Sequence, residues 1–161
     1  MSETLEVDQR VATAREFVAR VFSGHAPERA RDFFTADVVL HAGALGTTSG
    51  IDAVVSIFGA FIGALSDIDA AEQDVIASGD LVVLRQVVSA THTGNLLGVP
   101  ATGRRIQWDA ADIYRVTDDG RINEQWAFED LAAILSQAGA ISLPWTSRPA
   151  NDITQESEAR G

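Results

Sequence analysis

The chain has 161 residues, 46% of them hydrophobic and 22% charged, a size and composition that suit one globular domain with room for an internal cavity. Its formal charge of -11 argues against nucleic acid and anionic membrane partners, which are held chiefly by Lys and Arg, and favours a small, neutral or apolar ligand. With no cysteine, it has no disulfide, thiolate nucleophile, zinc thiolate site or iron–sulfur cluster.

The first ten residues, MSETLEVDQR, lack the basic and then apolar pattern of a secretory signal, and no apolar run reaches the length of a membrane span. A cytoplasmic location is therefore expected. From Val7 to Ser23, Val11, Ala14, Phe17, Val18, Val21 and Phe22 recur at helical spacing, and Gly24 ends the pattern. Pro27 to Phe34 reads as a short second helix with proline in its first turn, where a missing N–H costs little. Val38 to Leu40 form a short strand that leads through His41 into a glycine-rich loop, Ala42 to Gly50, a good candidate for the mouth of a site. Ile51 to Leu65 is apolar on most faces, as a helix enclosed by a sheet would be.

Four extended runs follow, Ala70–Ala77, Leu81–Thr93, Arg105–Val116 and Ile122–Phe128. Ser78-Gly79-Asp80 and Thr117-Asp118-Asp119-Gly120 supply hairpin turns. A last helix, Leu131 to Ala138, stops at Gly139, and the polar tail 146–161 is expected to be disordered. Helices followed by long antiparallel strands predict an α+β domain over residues 1–145. Its curved, antiparallel or mixed sheet would wrap three to four helices into a cone with an apolar interior.

Thr91-His92-Thr93-Gly94, Leu97-Gly98-Val99-Pro100-Ala101-Thr102-Gly103-Arg104-Arg105, Arg115, Asp119-Gly120-Arg121-Ile122 and Trp126 with Asp130 resemble, in order and spacing, the SnoaL-like polyketide cyclases. These belong to the nuclear-transport-factor-2-like superfamily of cone-shaped α+β barrels. The resemblance implies a cofactor-free protein of bacterial secondary metabolism that takes polycyclic aromatic polyketides and forms a dimer or a higher oligomer such as a tetramer. In the family's cyclases an Asp on the last strand acts as acid and base in an intramolecular aldol closure, with a His on the neighbouring strand. Aligned on these motifs, the Asp position is Ala127 and the His position is Asp112. Some relatives in anthracycline-type antibiotic pathways are linked to hydroxylation and lack the cyclase's acid/base pattern.

Strand alternation puts Asn123, Gln125 and Ala127 on the cavity face of the last strand, and Glu124, Trp126 and Phe128 on the other. On the preceding strand Trp108, Ala110, Asp112 and Tyr114 share one face. Asp112, between two aromatic side chains, is the leading candidate for a functional acid, because partial desolvation suits a carboxyl to proton transfer near neutral pH. His41 and Gln125 complete the candidate catalytic set, His41 through its near-neutral titration and Gln125 as a hydrogen-bonding partner for a carbonyl or phenol. Trp108, Tyr114, His92, Arg85, Asn123 and Asp130 are candidate substrate contacts, with the aromatic rings stacking on a flat ligand. Asp130 also reads as a helix cap. The histidines show no metal-ligand spacing, the glycines lack a dinucleotide fingerprint, and no metal or cofactor is expected.

Three functions accommodate these residues. The first is a polyketide-tailoring enzyme that moves a proton in an aldol-type cyclisation. The second is a hydroxylase, or a hydroxylase component with a separate reductase, acting on an anthracycline-type polyketide. The third is a non-catalytic binding module on the same fold. Carboxylate-activated hydrolysis of an epoxide would further need Asp112, Arg85 and Asp130 to converge.

Overall fold

The structure, a computed structural model, describes residues 5–145, so the expected disordered tail from residue 146 lies outside the described residues. Helix α1, Val7–Phe17, opens with the Glu6 backbone N–H held by the Gln9 side chain at 3.0 Å and buries Val11, Ala14 and Phe17. The expected continuation to Ser23 is present but widens into a π-helical stretch, Val18–Ser23, with Val18 and Val21 buried. Pro27–Asp32 is a 3₁₀ turn with proline at its start.

Strand β1, Phe34–His41, is longer than the three residues predicted, and β2, Thr47–Ser49, lies inside the glycine-rich loop and pairs back onto it. Helix α2, Ile51–Gly63, stops short of Leu65, which instead begins β3, Leu65–Ser78. The early stop is fixed by a close approach: the Ala64 carbonyl accepts the N–H groups of Thr93 and Gly94, each at 3.0 Å. A Cβ on Gly94 would stand 3.0 Å from Ala64 Cα and 3.1 Å from the Gly63 carbonyl oxygen, both backbone atoms, so glycine lets the two segments approach this closely. Strands β4, Leu81–His92, β5, Arg105–Val116, and β6, Ile122–Glu129, then lead into α3, Leu131–Gln137.

The six strands run in the order β2-β1-β6-β5-β4-β3, with β1 parallel to β6 and every other pair antiparallel, so the sheet is mixed. The domain is α+β, as predicted. On β4 and β5 every second residue is buried, from Val82 through Leu84 to His92 and from Ile106 to Val116, which puts one face of the sheet against the helices. Phe17 anchors that interior, its ring 4.7 Å from Phe34, 5.7 Å from Tyr114 and 5.8 Å from Phe58. Truncating such a fully buried Phe costs about 3–5 kcal/mol. Arg10 ties α1 to the far end of the sheet, its buried guanidinium donating to the Val116 carbonyl and, at 2.5 Å, to Asp118. No helix among the described residues is long and apolar enough to cross a membrane.

Candidate active site

Between α2, β6 and the loops around residues 43 and 96 the interior opens into a cavity of about 420 Å³. This lies within the range of small-molecule sites, roughly 300–1,000 Å³. Phe22, Leu40, Ile57, Phe58, Phe61 and Leu96 make its walls apolar, and Leu45, Leu97 and Phe128 stand partly exposed at its mouth. The polar groups are concentrated on β5 and β6.

Register decides which side chains meet there. Pairing of β5 with β6 sets Asp112 opposite Ala127, Tyr114 opposite Gln125 and Ala110 opposite Glu129, so all six share the interior face. Asp112, 6% exposed, therefore projects its carboxyl toward the space above the short Ala127 side chain, and Gln125 Nε2 donates to its Oδ1 at 3.2 Å. Burial pushes the Asp112 carboxyl well above the usual carboxylate range; the charge of Glu129 pushes it the same way, while the Gln125 hydrogen bond opposes. Glu129, which lines the cavity and accepts a hydrogen bond from Trp108 Nε1, is also raised by burial. Two neighbouring carboxyls in an apolar pocket do not both ionise readily, so the pair titrates as one system and keeps a proton to higher pH than either acid would alone.

Tyr114 is fully buried beside Asp112, and its hydroxyl, held neutral by burial and by the carboxylate's charge, lies close enough to that carboxyl to favour its ionised form, though without the geometry of a full hydrogen bond. The Trp108 ring meets Phe61 edge-on at 6.2 Å. Asp112, Gln125, Trp108 and Tyr114 thus share the face that alternation predicted, but only Asp112 and Gln125 line the main cavity; Trp108 and Tyr114 are packed into the core beside it and do not offer their rings to a ligand there. Glu129 is the addition, one residue beyond the predicted end of the strand and two beyond Ala127, where continued alternation points it inward.

The remaining candidates lie elsewhere. His41 is on the outer face of the sheet, stacked on Trp126 with ring centroids 5.1 Å apart, its Nε2 2.9 Å from Glu124 Oε1. It closes β1 one residue after buried Leu40, and the period of two turns it outward. Arg115 completes this outer cluster, donating to Glu124 at 3.2 Å with its guanidinium 5.7 Å from the Trp126 ring. Asn123 does not line the cavity, because an irregularity opposite Arg115 and Val116 breaks the alternation and leaves Ile122 fully buried in its stead. Arg85 points out of β4 to Asp74, 2.6 Å away. His92 is buried away from the cavity wall, with Nδ1 2.9 Å from the Thr102 hydroxyl. Asp130 caps α3, accepting the Ala133 N–H at 3.0 Å. Asp112, Arg85 and Asp130 therefore do not converge as epoxide hydrolysis would require. Among the described residues no three His, Asp or Glu side chains gather as a metal site.

Residues 12–138 match the family model for the SnoaL-like polyketide cyclase. The chain belongs to this family. Among solved structures, the SnoaL-like fold is shared with AclR of Streptomyces galilaeus, a proposed hydroxylase, at 26% identity and a TM-score of 0.74 over 85% of this chain and 100% of that one. It is shared with IdmH of Streptomyces antibioticus, a proposed polyketide cyclase, at 30% identity and a TM-score of 0.66 over 81% of this chain and 99% of that one. A SnoaL-like protein of Jannaschia sp. CCS1 overlays at a TM-score of 0.74 with 20% identity, covering 88% of this chain and 99% of its own. No curated protein matches the chain by sequence. Within this SnoaL-like frame Asp112 stands directly across the β5–β6 ladder from Ala127, so an acid on the neighbouring strand faces the same part of the cavity.

Proposed function

We propose that this SnoaL-like protein is a polyketide-tailoring enzyme that binds a polycyclic aromatic intermediate in the cavity and moves a proton at a carbon next to a carbonyl. The observation that carries the reading is Asp112, buried on the cavity floor opposite Ala127 and paired with Glu129. In its basic form Asp112 takes the proton α to a carbonyl. The enolate carbon then bonds to a second carbonyl carbon of the same molecule, and the alkoxide so formed takes the proton back from Asp112, leaving the mass unchanged. Glu129, with one oxygen fixed by Trp108, holds the pair's remaining proton on the other and offers it as a hydrogen bond to the developing oxyanion. Gln125 orients Asp112.

Hydroxylation is the second reading, favoured by Ala127 and by the similarity to AclR. Here the same enolate or phenolate would react with O₂, with two electrons from an external reductant and two protons reducing the second oxygen atom to water.

Incubation with anthraquinone-type intermediates, with and without reductant and oxygen, separates these readings by product mass. An isomer or a product short one water supports cyclisation. A gain of one oxygen supports hydroxylation, and binding without turnover supports a binding module. Asp112→Asn is expected to lower turnover by roughly 10²- to 10⁴-fold while ligand binding persists. Retained turnover would remove Asp112 from the reaction.

A further inference from the structure

Behind the carboxyl pair lies a second chamber of about 30 Å³, bounded by Asp112 and Glu129 and sharing Phe22 and Phe61 with the main cavity. One water needs roughly 10–15 Å³ of such space and two to four polar partners. This chamber has four. Besides the two carboxyls it is lined by the side chain of Gln86, 4% exposed, and by Tyr114, whose buried hydroxyl leans on Asp112 without the geometry of a full hydrogen bond. The rest of its lining is apolar apart from Trp108, whose one N–H is already given to Glu129. Burying the phenol here without a well-formed partner costs about 1–3 kcal/mol, and a water bridging it to the Gln86 amide would satisfy it.

We propose that this chamber is a site for one ordered water, held by Gln86, Tyr114, Asp112 and Glu129, that passes protons between the two carboxyls. The water gives a proton to the Asp112 carboxylate as it takes one from the Glu129 carboxyl and is itself unchanged. Gln86 and Tyr114 are then positioning residues, holding the water without touching substrate. Because the chamber lies behind the carboxyls, a ligand in the main cavity leaves the water in place. The relay rests on the proposed role of Asp112 and Glu129 in proton transfer; the water site stands without it.

Titratable groups facing Asp112 are Tyr114 on β5 and Glu129 on β6, while β4 presents Leu84 and Gln86 and the helical side presents Phe22 and Phe61. A water donating to the Asp112 carboxylate stabilises its charged form, so losing the water raises its titration midpoint. The test combines high-resolution crystal structures of the wild type and of Gln86→Leu with a carbon-13 titration of the Asp carboxyls. Expected are one water within hydrogen-bond distance of at least three of the four groups in the wild type and none in Gln86→Leu. In that variant, which leaves the direct contact of Tyr114 with Asp112 intact, the Asp112 midpoint and the acid limb of the rate profile should rise by about one pH unit. At pH values on that limb the rate would fall about tenfold. A dry wild-type chamber, or an unmoved Asp112 midpoint in Gln86→Leu, overturns the inference. If the water is present but Asp112→Asn keeps full turnover, the reading of the reaction fails and the relay with it, while the water site stands.

Discussion

Asp112 is held where a carboxylate is poorly solvated, and that placement has a stability consequence separate from catalysis. Its folded pKa lies above the unfolded value of about 3.9, chiefly through burial. The folded state therefore binds more protons than the unfolded chain between those two values, and stability falls as pH rises through that window. Above the folded midpoint the loss is complete; below about pH 4 it is absent. Asp112→Asn removes the ionisation yet keeps an oxygen to accept from Gln125. At pH 7 the variant should be more stable than the wild type by on the order of 1–3 kcal/mol, with the gain shrinking toward zero at pH 4. Urea unfolding at the two pH values measures this. Equal destabilisation at both would show that Asp112 is a well-compensated structural acid.

At the scale of the strand, register explains both what the sequence revealed and what it concealed. A period of two was enough to place Trp108, Asp112 and Tyr114 on one face, and Gln125 with Ala127 on the facing strand, because β5 is regular along its length and β6 is regular from Glu124 onward. It failed at Asn123, where the strand irregularity is a tertiary fit to β5 with no local signature. Glu129 escapes the sequence for a different reason: the extended run reads as ending at Phe128, whereas the strand continues one residue and one more step of alternation from Ala127 points Glu129 inward. His41 shows the limit of judging a residue by its loop neighbours, since its parallel pairing with Trp126 turns it outward. His41→Ala should therefore leave the turnover rate within about twofold of wild type while lowering stability by roughly 0.5–1.5 kcal/mol, through loss of the Glu124 contact and the Trp126 stack. A large loss of turnover with binding intact would return His41 to the catalytic set.

For the molecule as a whole, the cavity is a choice against maximal packing. A chain of this composition could close its core, yet the space between α2 and the sheet stays open, and apolar side chains face it without partners. Two responses follow from that geometry. A ligand that occupies the cavity binds only the folded state, and at 100 times its dissociation constant it should stabilise the protein by about 2.7 kcal/mol. Thermal unfolding would read this as an upward shift of roughly 5–11 °C for a domain of this size. Filling the same space from within should do the opposite to binding and the same to stability. Ala127→Leu puts three more carbons into the cavity from the middle of β6, opposite Asp112, where the open volume spares them the strain of a packed core. At about 0.8 kcal/mol per buried methylene the ceiling is near 2 kcal/mol. The variant should melt several degrees higher than wild type and show no shift with an anthraquinone ligand, with turnover lost. A variant that melts lower and still shifts with the ligand would place the binding site outside this cavity.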